Sequence, residues 1–201
     1  LQAVTTDVGS TTEDFDMVLK LMAAGATAAE KFRITSVGQC LLVDGTAALP
    51  ALSNSGDTNT GLYFSGADEV SVSTAGTQRL SVNSSGHVNL KLSSSADVIG
   101  LTSASTVTID MDTGQNFSCT MAHAITFANP TNANAGQSGS IVLTQDGSGS
   151  RTASFGTNWK FVGGTAPTLT TTAAAVDRID YFIAGASAVH AVVSLDVKAA
   201  S

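Results

Sequence analysis

Two stretches of this chain, offset by 48 residues, share one nine-residue pattern. Phe32-Arg-Ile34-Thr-Ser-Val-Gly38-Gln-Cys40 and Leu80-Ser-Val82-Asn-Ser-Ser-Gly86-His-Val88 both carry apolar residues at positions 1, 3 and 9 and glycine at position 7. Apolar residues two apart share one face of a strand, and a glycine between two such runs marks a tight reversal. Each copy reads as strand, turn, strand, and short preludes also agree, Ala24-Gly25 before the first and Ala75-Gly76 before the second. Hairpins this short bury no core of their own. Either they pack on a larger domain or identical chains wrap around one another.

Composition favours the second option. Charged residues are 12% of the 201, about half the share of roughly 25% in ordinary domains. In their place stand 24 Ser and 26 Thr, with 19 Gly. Thr suits a pleated, half-buried surface and Gly and Asn supply turns, so the expected class is all-β. Scarce charge and abundant small side chains permit close chain-to-chain packing, which points to an intertwined oligomer. The net charge is −7, with nine Lys and Arg scattered along the chain. Without a basic stripe to neutralise phosphates, nucleic acid is not an expected partner. No apolar run nears the ~20 residues of a membrane helix, so membrane insertion is not expected, and no secretory signal pattern is visible. The chain begins at Leu1, which raises the expectation of an upstream segment. Cys40 and Cys119 lie far apart in unlike contexts and read as buried free thiols.

Three regions are expected. Residues 1–49 form a first β-hairpin segment. In FDMVLKLM, Phe15, Met17, Leu19 and Leu21 alternate with Asp16, Val18 and Lys20, the period of a strand with its apolar face buried. A helix over 13–29 is the rival, disfavoured by Gly25 and Thr27 in its interior. Residues 50–92 hold the second repeat, and a Ser-rich junction follows. Residues 93–201 contain eight strand-like runs, at 106–111, 116–121, 124–128, 140–145, 152–156, 158–162, 176–184 and 188–197. Such a density of strands and turns predicts a β-sandwich of jelly-roll type. In the last run, Val189, Ala191, Val193, Leu195 and Val197 share one face.

Candidate chemistry is sparse. Asp57-Thr58-Asn59-Thr60-Gly61 opens like a calcium loop, but position 5 is Gly61, position 6 is Leu62 and position 12 is Asp68. An EF-hand needs an oxygen ligand, glycine and a bidentate Glu there, so the stretch reads as a turn. Asp110 and Asp112 share a strand face about 7 Å apart, yet lack the partners a glycosidase pair needs. They read as a solvated outer face. His87, His123 and His190 fall at no metal-ligand spacing. Neither GQSGS (136–140) nor DGSGSR (146–151) opens a helix, so neither is a phosphate cradle. No cofactor and no enzymatic activity are expected. Trp159, with Phe155 and Phe161 nearby, serves either as core and subunit contact or as a recognition anchor.

The segment PALSNSGDTNTGLYFSGADEVSVSTAGTQRLSVNSSGHV (50–88) resembles a module of tail fibres and related virion proteins of tailed bacteriophages. EKFRITSVGQ (30–39) resembles the terminal hairpin of the same module. NPTNANAGQSGSIVLTQDGSGSRTASFGTNWKFVGGTAPTLTTTAAAVDRIDYF resembles the core of their C-terminal β-domains. The resemblance implies a homotrimeric virion protein, made in the host bacterial cytoplasm and exposed on the particle. It implies a hairpin shaft joined to other virion proteins through an upstream or N-terminal segment, and a C-terminal domain that meets a host glycan or protein. Trp159, Phe161, Tyr63 and Phe64 are the candidate receptor or subunit contacts. A trimer can also hold an ion on its threefold axis, for which His87 and His123 are candidates. Attachment to the capsid as a head fibre or decoration protein is the alternative, and a polysaccharide depolymerase a further one. The self-cleaving chaperone domain that ends many such fibres is not carried over, since this chain ends at the strand near Val197.

Overall fold

The computed structural model describes residues 2–5, 15–22 and 24–200. The chain is all-β and divides into two compact units, Leu1–Ser94 and Ser95–Ser201. In the first unit, β1 (Gln2–Thr5), β2 (Phe15–Leu21), β3 (Ala29–Ile34) and β4 (Cys40–Leu42) form an antiparallel meander. A second meander follows, of β5 (Leu52–Asn54), β6 (Asp57–Tyr63), β7 (Val70–Thr74), β8 (Thr77–Val82) and β9 (Val88–Leu90). The strand reading of 15–21 thus prevails over the helix.

The repeat is larger in three dimensions than in sequence. Phe32, Arg33 and Ile34 face Leu42, Leu41 and Cys40, and 48 residues on Leu80, Ser81 and Val82 face Leu90, Asn89 and Val88. The preceding strands match as well. Met17, Val18 and Leu19 oppose Ile34, Arg33 and Phe32, and after a bulge Lys20 opposes Glu30. Val70, Ser71 and Val72 oppose Val82, Ser81 and Leu80, and after a bulge Ser73 opposes Gln78. The bulged residue is basic in both, Lys31 and Arg79. The turns agree bond for bond. Gly38 N donates to Thr35 O and Gly86 N to Asn83 O, while Thr35 N donates to Gln39 O and Asn83 N to His87 O. Gly38 and Gly86 sit at φ +84° and +80°, a region glycine occupies without strain.

Each repeat has two unlike faces, because neighbours across a strand pair point the same way and alternate residues point oppositely. One face carries Met17, Leu19, Phe32, Ile34, Cys40 and Leu42, with Val70, Val72, Leu80, Val82, Val88 and Leu90 as its counterparts. Val18, Arg33 and Leu41 lie on the other face, and Ser71, Ser81 and Asn89 are their counterparts.

The apolar face was expected to be buried, and it is the open one. Phe15 is 59% exposed and Leu52 60%, and Met17, Leu21, Val88 and Leu90 are exposed too, whereas Asp16, Val18, Ser71, Ser73 and Ser81 are buried. The polar face closes on itself through directed bonds. Arg33 Nη1 donates to Asp16 Oδ2 at 2.6 Å, and its Nε and Nη2 donate to Glu30. Ser36 N donates to Asp16 Oδ1, and Gln78 Nε2 to the Ser71 hydroxyl, which also bonds the Ser65 hydroxyl. Among the described residues no such bonds hold a cover over the aliphatic face. Among the described residues of this unit only Val18 and Tyr63 are buried hydrophobic side chains.

The calcium-like stretch is neither a metal loop nor a turn. Asp57–Tyr63 is strand β6, and the reversal lies just before it, where Gly56 N donates to Asn54 Oδ1. Gly61 is there for clearance, since a Cβ on it would sit 2.0 Å from the Leu52 carbonyl oxygen.

The second unit begins with β10 (Val98–Gly100), β11 (Thr106–Val107), β12 (Asn116–Met121), β13 (Ile125–Phe127), β14 (Ser138–Gln145) and β15 (Ala153–Phe155). β16 (Trp159–Phe161), β17 (Val176–Gly185) and β18 (Ala188–Ser194) complete it. The jelly roll expected here is replaced by another connectivity. β10, β12 and β14 pair in parallel in one sheet, and β11, β13 and β15 pair in parallel in the other. The chain alternates between sheets and returns each time to the same starting end, so neighbours within a sheet run the same way, as in the rungs of a solenoid. β17, β18 and β16 then extend the larger sheet in the order β14-β17-β18-β16.

One core fills the space between the sheets. Phe117, Cys119 and Met121 from β12 meet Ile125 and Phe127 from β13, Ile141 and Leu143 from β14, and Ile179, Tyr181 and Ile183 from β17. Seventeen buried hydrophobic residues form it, against two among the described residues of the first unit. The rungs are also tied at their corners. Asn132 Nδ2 donates to Asp110 Oδ1 and Asn134 Nδ2 to Asp112 Oδ1, while Thr126 and Ser154 share a hydroxyl bond. The final strand stops at Ser194. Asp196 takes φ +50°, and Leu195 and Val197 are exposed, so the alternation read through to Val197 ends early.

Candidate ligand-binding cleft

The outer face of the larger sheet carries an open cleft of about 550 Å³ across β16, β18 and β17. Its position follows from register. Lys160 pairs with His190, and His190 with Phe182, so these three side chains stand in one row on the face opposite the core. Val192 pairs with Asp180 in the next row. Phe161, Val162, Tyr181 and Ala191 complete the walls.

Half-exposed Phe182 and exposed Val192 and Val162 make the cleft floor and rim apolar, with Lys160, His190 and Asp180 as its polar groups. Burial works to raise the Asp180 carboxyl, but the Ser140 hydroxyl donating at 2.6 Å and the Arg178 guanidinium outweigh it and hold the group below its ordinary value. Asp180 is therefore a fixed anion and not a proton donor near neutral pH. Lys160 Nζ donates to the Thr157 carbonyl. An apolar platform ringed by oriented charges and an imidazole suits binding of an amphipathic ligand.

The four candidate contacts part ways. Trp159 is buried, its Nε1 donating to Ala128 O at 3.0 Å and its ring edge-on to Phe155, so it is core and not a recognition anchor. Phe161 packs against Phe155 with ring centroids 4.8 Å apart and reaches the cleft wall. Tyr63 is buried on the polar face of the second meander, and Phe64 beside it is 37% exposed. The sequence reading missed Phe182, His190, Lys160 and Asp180. Alternation in β16, β17 and β18 places them outward, but their convergence depends on the parallel β16–β18 pairing, which no local pattern announces.

The other candidates are engaged elsewhere. Asp110 caps a 3₁₀ turn, Met111–Thr113, rather than lying in a strand, accepting from Asp112 N, and both carboxylates accept from asparagines of the next rung. His123 Nδ1 lies 3.2 Å from the Ser103 hydroxyl, and His87 is exposed in a turn. Among the described residues no group of three His, Cys, Asp or Glu is placed to hold a metal ion. Cys119 is buried, which pushes its thiol up, whereas Cys40 is exposed, contrary to expectation, because it lies on the open apolar face. Among the described residues no helix is long and apolar enough to cross a membrane. Protein-family models, curated protein sequences and solved structures yield no match to the chain.

Proposed function

We propose that this chain is a structural fibre protein of a tailed-bacteriophage particle, assembled from three copies, with its second unit turned toward the host surface. The observation that carries this reading is the open aliphatic face that both repeats of the first unit share. A meander with so little buried apolar surface needs a cover, and identical chains provide one at every position along a fibre. The first unit is then the shaft, joined to the particle through an upstream or N-terminal segment. The second unit encloses its own core and keeps an amphipathic cleft open, as a contact module for a host glycan or protein requires.

The mechanism is binding without catalysis. Three cleft-bearing units per fibre and several fibres per particle turn weak contacts into avidity. Asp110 and Asp112, the pair a depolymerase would use, are spent on rung-to-rung bonds. Purified protein at saturating concentration is expected to block adsorption of the phage that carries it. Unchanged adsorption would refute the host-contact role and favour a capsid-attached fibre or decoration protein.

A further inference from the structure

We infer that the cleft across β16, β18 and β17 takes an acidic glycan, its carboxylate or phosphate on Lys160, a ring face on Phe182 and its chain running on past Val162. The inference rests on the host-contact reading of the second unit and names the chemistry which that contact recognises.

Charge gives the sign of the ligand. Besides His190, the cleft walls hold one cation, Lys160, and one anion, Asp180. Only the anion is neutralised. Arg178 Nη2 lies 2.9 Å from Asp180 Oδ2, and the Ser140 hydroxyl donates to Asp180 Oδ1. Among the described residues Lys160 meets no carboxylate, and its Nζ donates to the Thr157 carbonyl. An ammonium has three donors, so the others are left for a ligand. On a chain of net charge −7, this local positive spot with apolar walls favours an anionic group.

Register gives the ligand class. Lys160, His190, Phe182 and Ser138 stand in one row on four neighbouring strands, β16-β18-β17-β14. Strands lie ~5 Å apart, a step close to the length of one pyranose ring. The row therefore offers in turn a cation, an imidazole, a half-exposed phenyl face and an exposed hydroxyl. Sugars present apolar C–H faces and hydroxyl rims to match. A peptide crossing the same strands would bring its backbone N–H and C=O groups over Phe182 and Val192. The backbone groups of the sheet there are already paired, and stranded amides are costly.

The second hollow gives the length. It measures about 210 Å³, shares Phe161, Val162 and Val192 with the main cleft, and adds Thr165 and Pro167. Val162, 85% exposed, lines both. A cleft of about 550 Å³ that continues into another suits several rings in line rather than a single ion.

The test measures retention of the full chain by immobilised polygalacturonate, a glycosyl-phosphate polymer, neutral dextran and polyglutamate. Wild type should be held by an acidic glycan and pass both dextran, which lacks charge, and polyglutamate, which lacks rings. Which acidic polymer holds it distinguishes carboxylate from phosphate. Lys160→Gln should weaken retention about 10- to 100-fold, the worth of a hydrogen bond to a charged group. Lys91→Gln, at an exposed lysine of the first unit, should bind as wild type. Phe182→Ala should lose the preference for rings over polyglutamate, with Trp159 fluorescence confirming the fold of each variant. Equal retention by dextran or polyglutamate, or retention indifferent to Lys160→Gln, overturns the inference. Protein that blocks phage adsorption yet binds none of the polymers sinks the inference and leaves the host-contact reading standing. Retention that depends on Lys160, without any block of adsorption, keeps the site and overturns the host-contact reading.

Discussion

Replacing Phe117 by Ala should cut deeply into the second unit and leave the first untouched. Phe117 lies in the middle rung, in register with Ile99 on one side and Ile141 on the other, and is fully buried. Its ring fills space between the two parallel ladders, and neighbours tied by hydrogen bonds in both sheets cannot collapse into the void. Removing a fully packed phenyl ring costs about 3–5 kcal/mol. With a urea dependence of ~1.5 kcal/mol per M for a unit of this size, the midpoint should fall by roughly 2–3 M. Trp159 is the only tryptophan and belongs to the same core, so its fluorescence reports this unit alone. A midpoint shift below ~0.5 M at unchanged slope would show that Phe117 is not held between two ladders, and the solenoid packing would be wrong.

Gly61→Ala would push a Cβ onto the Leu52 carbonyl and should cost about 2–4 kcal/mol in far-UV circular dichroism melts. Gly56→Ala, which meets only Asn54 Oδ1 at 3.4 Å, should stay within about 0.5 kcal/mol; equal effects would refute the clearance argument. Burial pushes the Tyr181 hydroxyl up to about 12, so the stability it contributes is whole below its ordinary value near 10 and lost as pH rises through 12. Tyr181→Phe should abolish that alkaline loss, at about 1 kcal/mol for the bond to Gln115 O at neutral pH; an alkaline limb unchanged in Trp159 unfolding would refute it. Asp146 is held below its ordinary value, chiefly by the Arg151 guanidinium. Its contribution is therefore complete above about 4 and lost as pH falls through the depressed folded value. Asp146→Asn should flatten the acid limb of the fluorescence midpoint, and an unaltered limb would count against the ion pair.

Strand positions were largely legible in the sequence, and their partners were not. Alternation marked 116–121 within its true bounds and located eight of the nine strands of the second unit, because a half-buried strand must alternate whatever it pairs with. Direction of pairing leaves no such trace. Phe117 beside Ile141 reads the same for parallel and antiparallel neighbours, so a solenoid was mistaken for a jelly roll. The first strand, Val98–Gly100, is too short and too exposed to register. In the first unit the period was right and the burial inverted, since a pattern tells which face is apolar and not what covers it. Asp16 and Ser71 are buried by bonds to Arg33 and Gln78, whose reach across strands is invisible in sequence. The cleft depended likewise on the β16–β18 register, whereas Trp159 could be read either way until its Nε1 found Ala128 O.

In the larger sheet of the second unit the rungs are covered at one end only. β17, β18 and β16 extend the larger sheet beyond β14, while β10 and β11 each stand at the margin of their sheet with one side unpaired. Successive rungs register 18 and 24 residues apart in the larger sheet, Val98 on Asn116 and Asn116 on Ser140. A duplicated rung can therefore be added ahead of β10. There it would lengthen the module by about 5 Å per strand spacing without disturbing the cleft. Such a unit can change its length by tandem duplication while keeping its cleft intact, and selection can act on the two properties separately.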